Sequence, residues 1–213
     1  MPDLSDFREE YGHDILTKES VHPNPVEQFR IWFDYAVSQK ITEPNAMSLA
    51  TVDEHAQPWL RTVLLKAYDD RGFVFYTNYD SRKGKQLANN PKASVLFPWI
   101  QLERQVIING EVERVSNSES LKYFSSRPFG SRLGAWVSQQ SSVVSSRSLL
   151  LAKLEEMKRK FKNGEVPLPS FWGGYRVKPK TIEFWLGGKN RIHDRIFYSR
   201  REDGTWSIER LAP

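Results

Sequence analysis

Trp59-Leu60-Arg61-Thr62-Val63-Leu64-Leu65-Lys66-Ala67-Tyr68-Asp69-Asp70-Arg71-Gly72-Phe73-Val74-Phe75-Tyr76-Thr77-Asn78 contains two runs rich in β-branched and aromatic residues, joined through Asp69-Asp70-Arg71-Gly72. That joint is too short for the helical crossover a parallel pair needs, so the runs read as antiparallel neighbours. The same texture extends outward. Strands are expected at roughly 46–52, 58–68, 73–78, 93–99 and 102–115, with turn signals at Asp53-Glu54-His55-Ala56-Gln57-Pro58 and Asn89-Asn90-Pro91-Lys92. One short helix, Ser81 to Asn89, interrupts them. Strands linked without a helix after each one argue for an antiparallel sheet or barrel and against a doubly wound parallel sheet. No GxGxxG and no GxxxxGK[ST] occurs, which disfavours a Rossmann or P-loop nucleotide site.

On the N-terminal side, residues 1–23 are polar and without clear period, and read as an arm or lid rather than core. A helix is expected from Asn24, a good N-cap followed by Pro25, with Val26, Phe29, Trp32, Phe33, Ala36 and Val37 on one face. Beyond the strands, helices are expected at Ser118 to Arg127, Gly130 to Ser138 and Ser146 to Asn163. The last carries Leu149, Leu150, Leu154, Met157 and Phe161 as a stripe. Strands close the chain at Tyr175 to Val177, Thr181 to Leu186, Arg195 to Arg200 and Thr205 to Leu211. With no internal repeat or linker, residues 24–213 read as a single α+β domain.

Composition narrows the function. The 213 residues are 39% hydrophobic and 27% charged, an ordinary globular balance that excludes collagen-like and wholly disordered classes. Absence of cysteine removes disulfides, thiolate catalysis and sulfur-ligated metal sites, and His13, His22, His55 and His193 form no metal-binding pair, so no metal is expected. No apolar run is long enough to cross a bilayer and Met1 to Asp6 lacks signal-peptide character, so a cytoplasmic protein with no membrane partner is expected. A net charge of +5 suits anionic ligands such as phosphorylated small molecules, and is a mild excess for a nucleic-acid binder.

Four constellations carry chemistry. Ser81-Arg82-Lys83-Gly84-Lys85 opens a helix with cations where the helix dipole is already positive, an arrangement that an anion would relieve. In Arg61 to Lys66, strand parity places Arg61, Val63 and Leu65 on one face and Thr62, Leu64 and Lys66 on the other, so the two cations should serve different groups. Tyr123 and Arg127 share a helix face, and Ser131 follows Pro128, which together make a candidate phosphate cradle. Arg191, His193 and Arg195 alternate, so an extended segment would point all three one way and call for an anion or a polarisable ring before them. His193 is the best acid/base candidate. Each segment taken alone is also compatible with a solvated surface or with packing, as are Trp185 and the Phe171-Trp172-Gly173-Gly174-Tyr175-Arg176 run.

Taken together these segments resemble the pyridoxine (pyridoxamine) 5′-phosphate oxidases. The match runs through Arg61-Thr62-Val63-Leu64-Leu65-Lys66, Phe75-Tyr76-Thr77-Asn78, Ser81-Arg82-Lys83, Leu102-Glu103-Arg104-Gln105-Val106 and Tyr123-Phe124-Ser125-Ser126-Arg127-Pro128. It continues through Gln140-Ser141-Ser142, Phe171-Trp172-Gly173-Gly174, Ile182-Glu183-Phe184-Trp185, Arg191-Ile192-His193-Asp194-Arg195 and Arg210-Leu211-Ala212-Pro213. The resemblance is thinnest from Gly12 to Val26.

The resemblance implies an FMN-binding split β-barrel with flanking helices, working as a homodimer with FMN between the subunits. It implies FMN contacts at Arg61, Thr62, Val63, Leu64, Leu65, Lys66, Tyr76, Thr77, Arg82, Lys83, Gln105, Gln140, Ser141, Trp185 and Arg195. Substrate phosphate would meet Lys66, Tyr123, Arg127 and Ser131; Arg191, Ile192 and His193 would lie over the substrate ring; and Arg8, Glu9, Glu10 and Tyr11 would form a lid. Arg191 and His193 are the expected catalytic residues, on pyridoxine 5′-phosphate or pyridoxamine 5′-phosphate with O2 as electron acceptor. The competing readings are a split-barrel flavin enzyme with another substrate, a carrier of pyridoxal 5′-phosphate, and a basic nucleic-acid-binding domain.

Overall fold

Asn24 starts the first helix by accepting the backbone N–H of Val26 on its side chain, with Pro25 supplying a pre-set φ at the first helical position. The helix, α1 (Pro25–Ser38), buries Val26, Phe29, Trp32 and Ala36, whereas Val37, expected on the same face, is half-exposed and lies outside the buried one. In this computed structural model, which describes residues 10–12, 14–138, 140–162 and 164–213, the apolar side of α1 faces a curled antiparallel sheet. Phe29 is fully buried and meets Phe73 and Phe97 edge-on at 4.9 Å each. Burial of one such ring contributes about 1.5–3 kcal/mol.

The strands are β1 (Ala46–Val52), β2 (Pro58–Leu64), β3 (Ala67–Asp69), β4 (Gly72–Asn78), β5 (Lys92–Trp99), β6 (Arg104–Arg114), β7 (Trp172–Leu186), β8 (Asp194–Arg200) and β9 (Trp206–Leu211). Their order is β2-β1-β5-β6-β7-β4-β3, with β8 paired to β7 and β9 to β8. The expected strand 58–68 is two strands, because the chain breaks at Leu65 and Lys66: Leu65 donates to Asn45 O and Lys66 to Val74 O. Tyr175 to Val177 and Thr181 to Leu186 are one strand, and a register shift at Asn109/Gly110 leaves Lys180 without a partner on β6 beside Pro179, which has no N–H to donate. Gly110 is required there, since a Cβ would stand 2.0 Å from Lys178 O.

β7 organises the molecule. It pairs with β6 along its length, with β4 through Trp172 to Val177, and with β8 through Thr181 to Leu186. Helix α2 (Arg82–Asn89) follows β4; α3 (Asn117–Ser126), α4 (Phe129–Val137) and α5 (Arg147–Lys160) lie between β6 and β7. Phe124, Leu133, Ala135, Val166 and Trp172 form a second core under these helices. The stripe expected on α5 is weaker than its period suggests. Leu154, Met157 and Phe161 pack partly on this second core, but no α5 residue is fully buried and Leu149 is exposed.

The segment before α1 is not detached from the core, because Leu16 and Val21 are buried in it. Among the described residues no helix is long and apolar enough to cross a membrane, and no group of three His, Asp or Glu side chains could hold a metal ion.

Candidate active site

A cavity of about 640 Å³ opens where β2, β4, α3 and α4 meet. Thr62, Val63, Leu64 and Lys66 wall it on one side, Tyr76, Thr77 and Lys83 on another, and Tyr123, Arg127, Ser131, Gln140 and Trp172 complete it. Its walls carry Lys66, Lys83 and Arg127 and no carboxylate. An adjoining cavity of about 650 Å³ shares Asn78, Ser138 and Gln140 and adds Arg82, Lys85 and Ser141, together with one carboxylate, Asp80.

Local structure explains this convergence. Ser81 caps α2 by accepting from Gly84 N, and a Cβ on Gly84 would stand 2.1 Å from Tyr79 O, so only glycine lets the helix start this close to β4. Gly174 leaves room for the Tyr76 ring, 2.8 Å from where its Cβ would be. Tyr76 stacks on Tyr123 at 4.0 Å and on Trp172 at 5.5 Å. The Arg127 guanidinium lies 4.7 Å from the Trp172 ring centre.

The electrostatics are those of an anion site. Lys83 is buried, with Nζ donating to Thr77 Oγ1 and to Gln140 Oε1 at 3.1 Å each. Burial and then the Arg61 charge push its ammonium down to about 8. Burial and Arg82 lower Arg61, and burial lowers Arg127. Arg127 Nη1 is buried without a hydrogen-bond partner. A buried cation held only by neutral groups, as Lys83 is, is costly unless a ligand supplies the negative charge. FMN fits this arrangement, since its phosphate supplies that charge, and so does a phosphorylated substrate at Lys66 and Arg127.

Arg61 itself turns away from the cavity wall. It donates to Leu49 O, Thr51 Oγ1 and Gln86 Oε1, and Leu65 enters the core. Arg61 and Lys66 therefore have different surroundings, although the break at Leu65 and Lys66, rather than strand parity, decides where Lys66 goes.

The remaining expected residues gather elsewhere. Gln105 lies opposite Trp185 and Trp185 opposite Arg195, one row across β6, β7 and β8. Trp185 is twelve positions beyond Gly173 on β7, a contour of roughly 40 Å, whereas Gly173 is the partner of Thr77 at the cavity. Arg191 is not on an extended strand. It closes a 3₁₀ turn, Lys189–Arg191, with φ of 62°, so the expected alternation with His193 and Arg195 is broken. The anion facing Arg195 is the protein's own Glu183, at 2.7 Å. His193 Nδ1 accepts from Gly188 N–H at 3.1 Å, and its ring lies 4.7 Å from Trp185 and 5.9 Å from Tyr11. Consecutive residues grip the arm there: Glu103 accepts from Gly12 N and Arg104 pairs with Asp14. Glu10 is described and exposed; Arg8 and Glu9 lie outside the described residues.

Sequence reasoning missed Trp172 as a wall of the cavity and Glu183 as the partner of Arg195. The Phe171-Trp172-Gly173-Gly174 run was a signal for the first, whereas nothing local distinguishes Glu183 from a surface glutamate.

Likeness to known proteins places this curled antiparallel sheet, with its flanking helices and cation-walled cavity, among the FMN-binding split barrels. Residues 33–161 match the family described as "Pyridoxamine 5′-phosphate oxidase", and residues 172–213 match the "Pyridoxine 5′-phosphate oxidase C-terminal dimerisation region". The chain belongs to the pyridoxine/pyridoxamine 5′-phosphate oxidase family.

It is similar to the pyridoxine/pyridoxamine 5′-phosphate oxidase of Aliarcobacter butzleri, with 57% identity over 99% of this chain and all of that relative. The enzyme of the same name from Vibrio cholerae is 52% identical over the same shares. Among solved structures, PhzG from Burkholderia lata, in complex with tetrahydrophenazine-1-carboxylic acid, is similar at a TM-score of 0.88 and 29% identity, covering 94% of this chain and 98% of that one. A pyridoxamine 5′-phosphate oxidase-related, FMN-binding protein from Nostoc punctiforme shares the fold at a TM-score of 0.70 and 15% identity, over 87% of this chain and 97% of that one.

Proposed function

We propose that this chain, as an FMN-bearing homodimer, oxidises C4′ of pyridoxine 5′-phosphate or pyridoxamine 5′-phosphate to the aldehyde of pyridoxal 5′-phosphate. The observation that carries the reading is the cavity wall, where Lys66, Arg127 and Ser131 lie beside Lys83 and Gln140 with no carboxylate among them. Two phosphate groups, one on the cofactor and one on the substrate, satisfy those cations.

Arg82, Lys83, Gln140 and Ser141 would hold the FMN phosphate, with Arg61 contributing only its nearby positive charge; Thr62 to Lys66, Tyr76 and Thr77 would line the rest of it. Lys66, Tyr123, Arg127 and Ser131 would take the substrate phosphate. Gln105, Trp185, Arg191, His193 and Arg195 gather toward the other end of β7 from that cavity, which supports their contribution from a second copy across the dimer. Bound FMN supplies a two-electron acceptor for the hydride equivalent leaving C4′, with O2 as final acceptor and H2O2 as product; the amine substrate also takes up water and releases ammonia.

The protein's task is to orient the substrate and exclude solvent. Arg191, protonated, would hold the substrate ring, and His193 beside it would hydrogen-bond it. With Nδ1 occupied by Gly188, the neutral His193 ring carries its proton on Nε2 and presents a donor. It takes a proton only by giving up the Gly188 bond. Tyr11, against Trp185 and His193, would close the site as part of the lid.

The test is the visible spectrum of the FMN-loaded protein held anaerobic, before and after pyridoxine 5′-phosphate. Bleaching that reverses on admitting oxygen is the expected result. A bound flavin indifferent to both substrates would leave a split-barrel oxidoreductase of another substrate.

A further inference from the structure

Among the described residues Glu183 is the one buried carboxylate, and both of its oxygens are spent on one residue. Arg195 Nε donates to Oε1 at 2.7 Å and Nη2 to Oε2 at 3.1 Å, a two-pronged contact that fixes the plane of the guanidinium. Nη1 donates to the carbonyl of Ala212 at 2.9 Å, which ties the C-terminal segment to the same group. Of five N–H donors, three are thereby committed inside the chain. Glu183 also precedes Trp185 by two positions on β7, so its side chain leaves the sheet on the face of the Gln105, Trp185 and Arg195 row.

A carboxylate taken out of water for this contact stabilises the fold little, because desolvation offsets most of the attraction. Its consequence is geometric and electrostatic. We infer that Glu183 is a positioning residue for the flavin: it aims Arg195 and offsets part of its charge, and so limits how strongly the site favours the reduced, negatively charged ring of FMN. The inference rests on the proposed function, in which Arg195 reaches the FMN.

The experiment is an anaerobic reductive titration of the FMN-loaded dimer against a reference dye, for the unaltered protein, Glu183→Gln and Arg195→Gln. Removing the Glu183 charge leaves Arg195 less compensated, so the midpoint potential of bound FMN rises in Glu183→Gln. The expected change is roughly tenfold in the ratio of reduced to oxidised flavin at a fixed solution potential, about 30 mV for a two-electron couple. Arg195→Gln shifts it the other way. An unmoved potential in Glu183→Gln beside a lowered one in Arg195→Gln overturns the inference and makes Glu183 a brace of the sheet. An unmoved potential in both variants instead removes Arg195 from the flavin, and the site reading fails with it. Should Glu183→Gln give no FMN-loaded protein, Glu183→Asp decides, since it keeps the charge and shortens the reach. Weaker FMN binding, read from fluorescence quenching at unchanged Tm, supports the inference; unchanged affinity overturns it.

Discussion

Lys83 Nζ lies 3.1 Å from the side-chain oxygen of Gln140, and that amide is the nearest thing to a counter-charge it has in the cavity. Two opposite consequences follow for Lys83→Met. FMN affinity, measured by fluorescence quenching, is expected to fall about tenfold or more, the cost of losing a charge-assisted bond to phosphate. The FMN-free protein is expected to melt no lower than the unaltered one, since the variant removes a buried, uncompensated charge. A lower Tm without loss of FMN affinity would remove Lys83 from the site.

The same lysine gives a pH dependence. Its folded value of about 8 lies below the ordinary 10.5, so between those values the unfolded chain binds the extra proton. Stability of the FMN-free protein is therefore expected to rise with pH from about 8 to about 10.5 relative to Lys83→Met, because ∂ΔG/∂pH is positive wherever the unfolded state holds more protons. FMN affinity runs the other way, falling as pH rises through about 8 and the cation is lost. Denaturant melts across that window, with and without FMN, check both signs.

Gly187 tests the arm. A Cβ there would stand 2.9 Å from Tyr11 Cβ and 3.0 Å from Glu103 Cβ, so Gly187→Ala must displace Tyr11 or the loop carrying Glu103. KM for the phosphorylated substrate is expected to rise several-fold, with kcat and Tm little changed, if Tyr11 acts in the proposed lid, because Tyr11 is moved and the core is not. A lowered Tm with unchanged KM would make the contact purely structural.

The comparison of sequence and structure separates what local chemistry encodes from what pairing decides. Asn24, Ser81 and Ser146 announce their helices because capping is a contact between near neighbours. Strand period located β1, β4 and β5 to within a residue for the same reason. What stayed illegible depends on distant partners. The break at Leu65 and Lys66 is made by Asn45 and Val74, the continuity of β7 through Pro179 by a register shift in β6, and the charge balance of Arg195 by Glu183. Arg191 was misread because a left-handed φ at a non-glycine residue leaves no trace in alternation. The cavity cations, by contrast, were legible as unpaired charges in motifs, and the structure brings Lys66, Lys83 and Arg127 to one wall.

The division of the expected residues between a cavity at one end of β7 and a row at the other makes a prediction about mixed dimers. Arg127→Met alters the cavity and Arg191→Met alters the far cluster, so each homodimer is expected to lose most of its turnover. If each site takes its cavity from one copy and its Arg191 from the other, a heterodimer of the two variants has one site with both lesions and one with neither. Unfolding and refolding an equimolar mixture makes about half the dimers heterodimers, with one intact site in two, so about a quarter of the unaltered activity should return. Separately refolded variants, mixed afterwards without exchange, should stay inactive. No recovery in the co-refolded sample, with heterodimers demonstrated by mass, would mean that each chain builds its site alone, and the cluster of Trp185, His193 and Arg195 would then need another role.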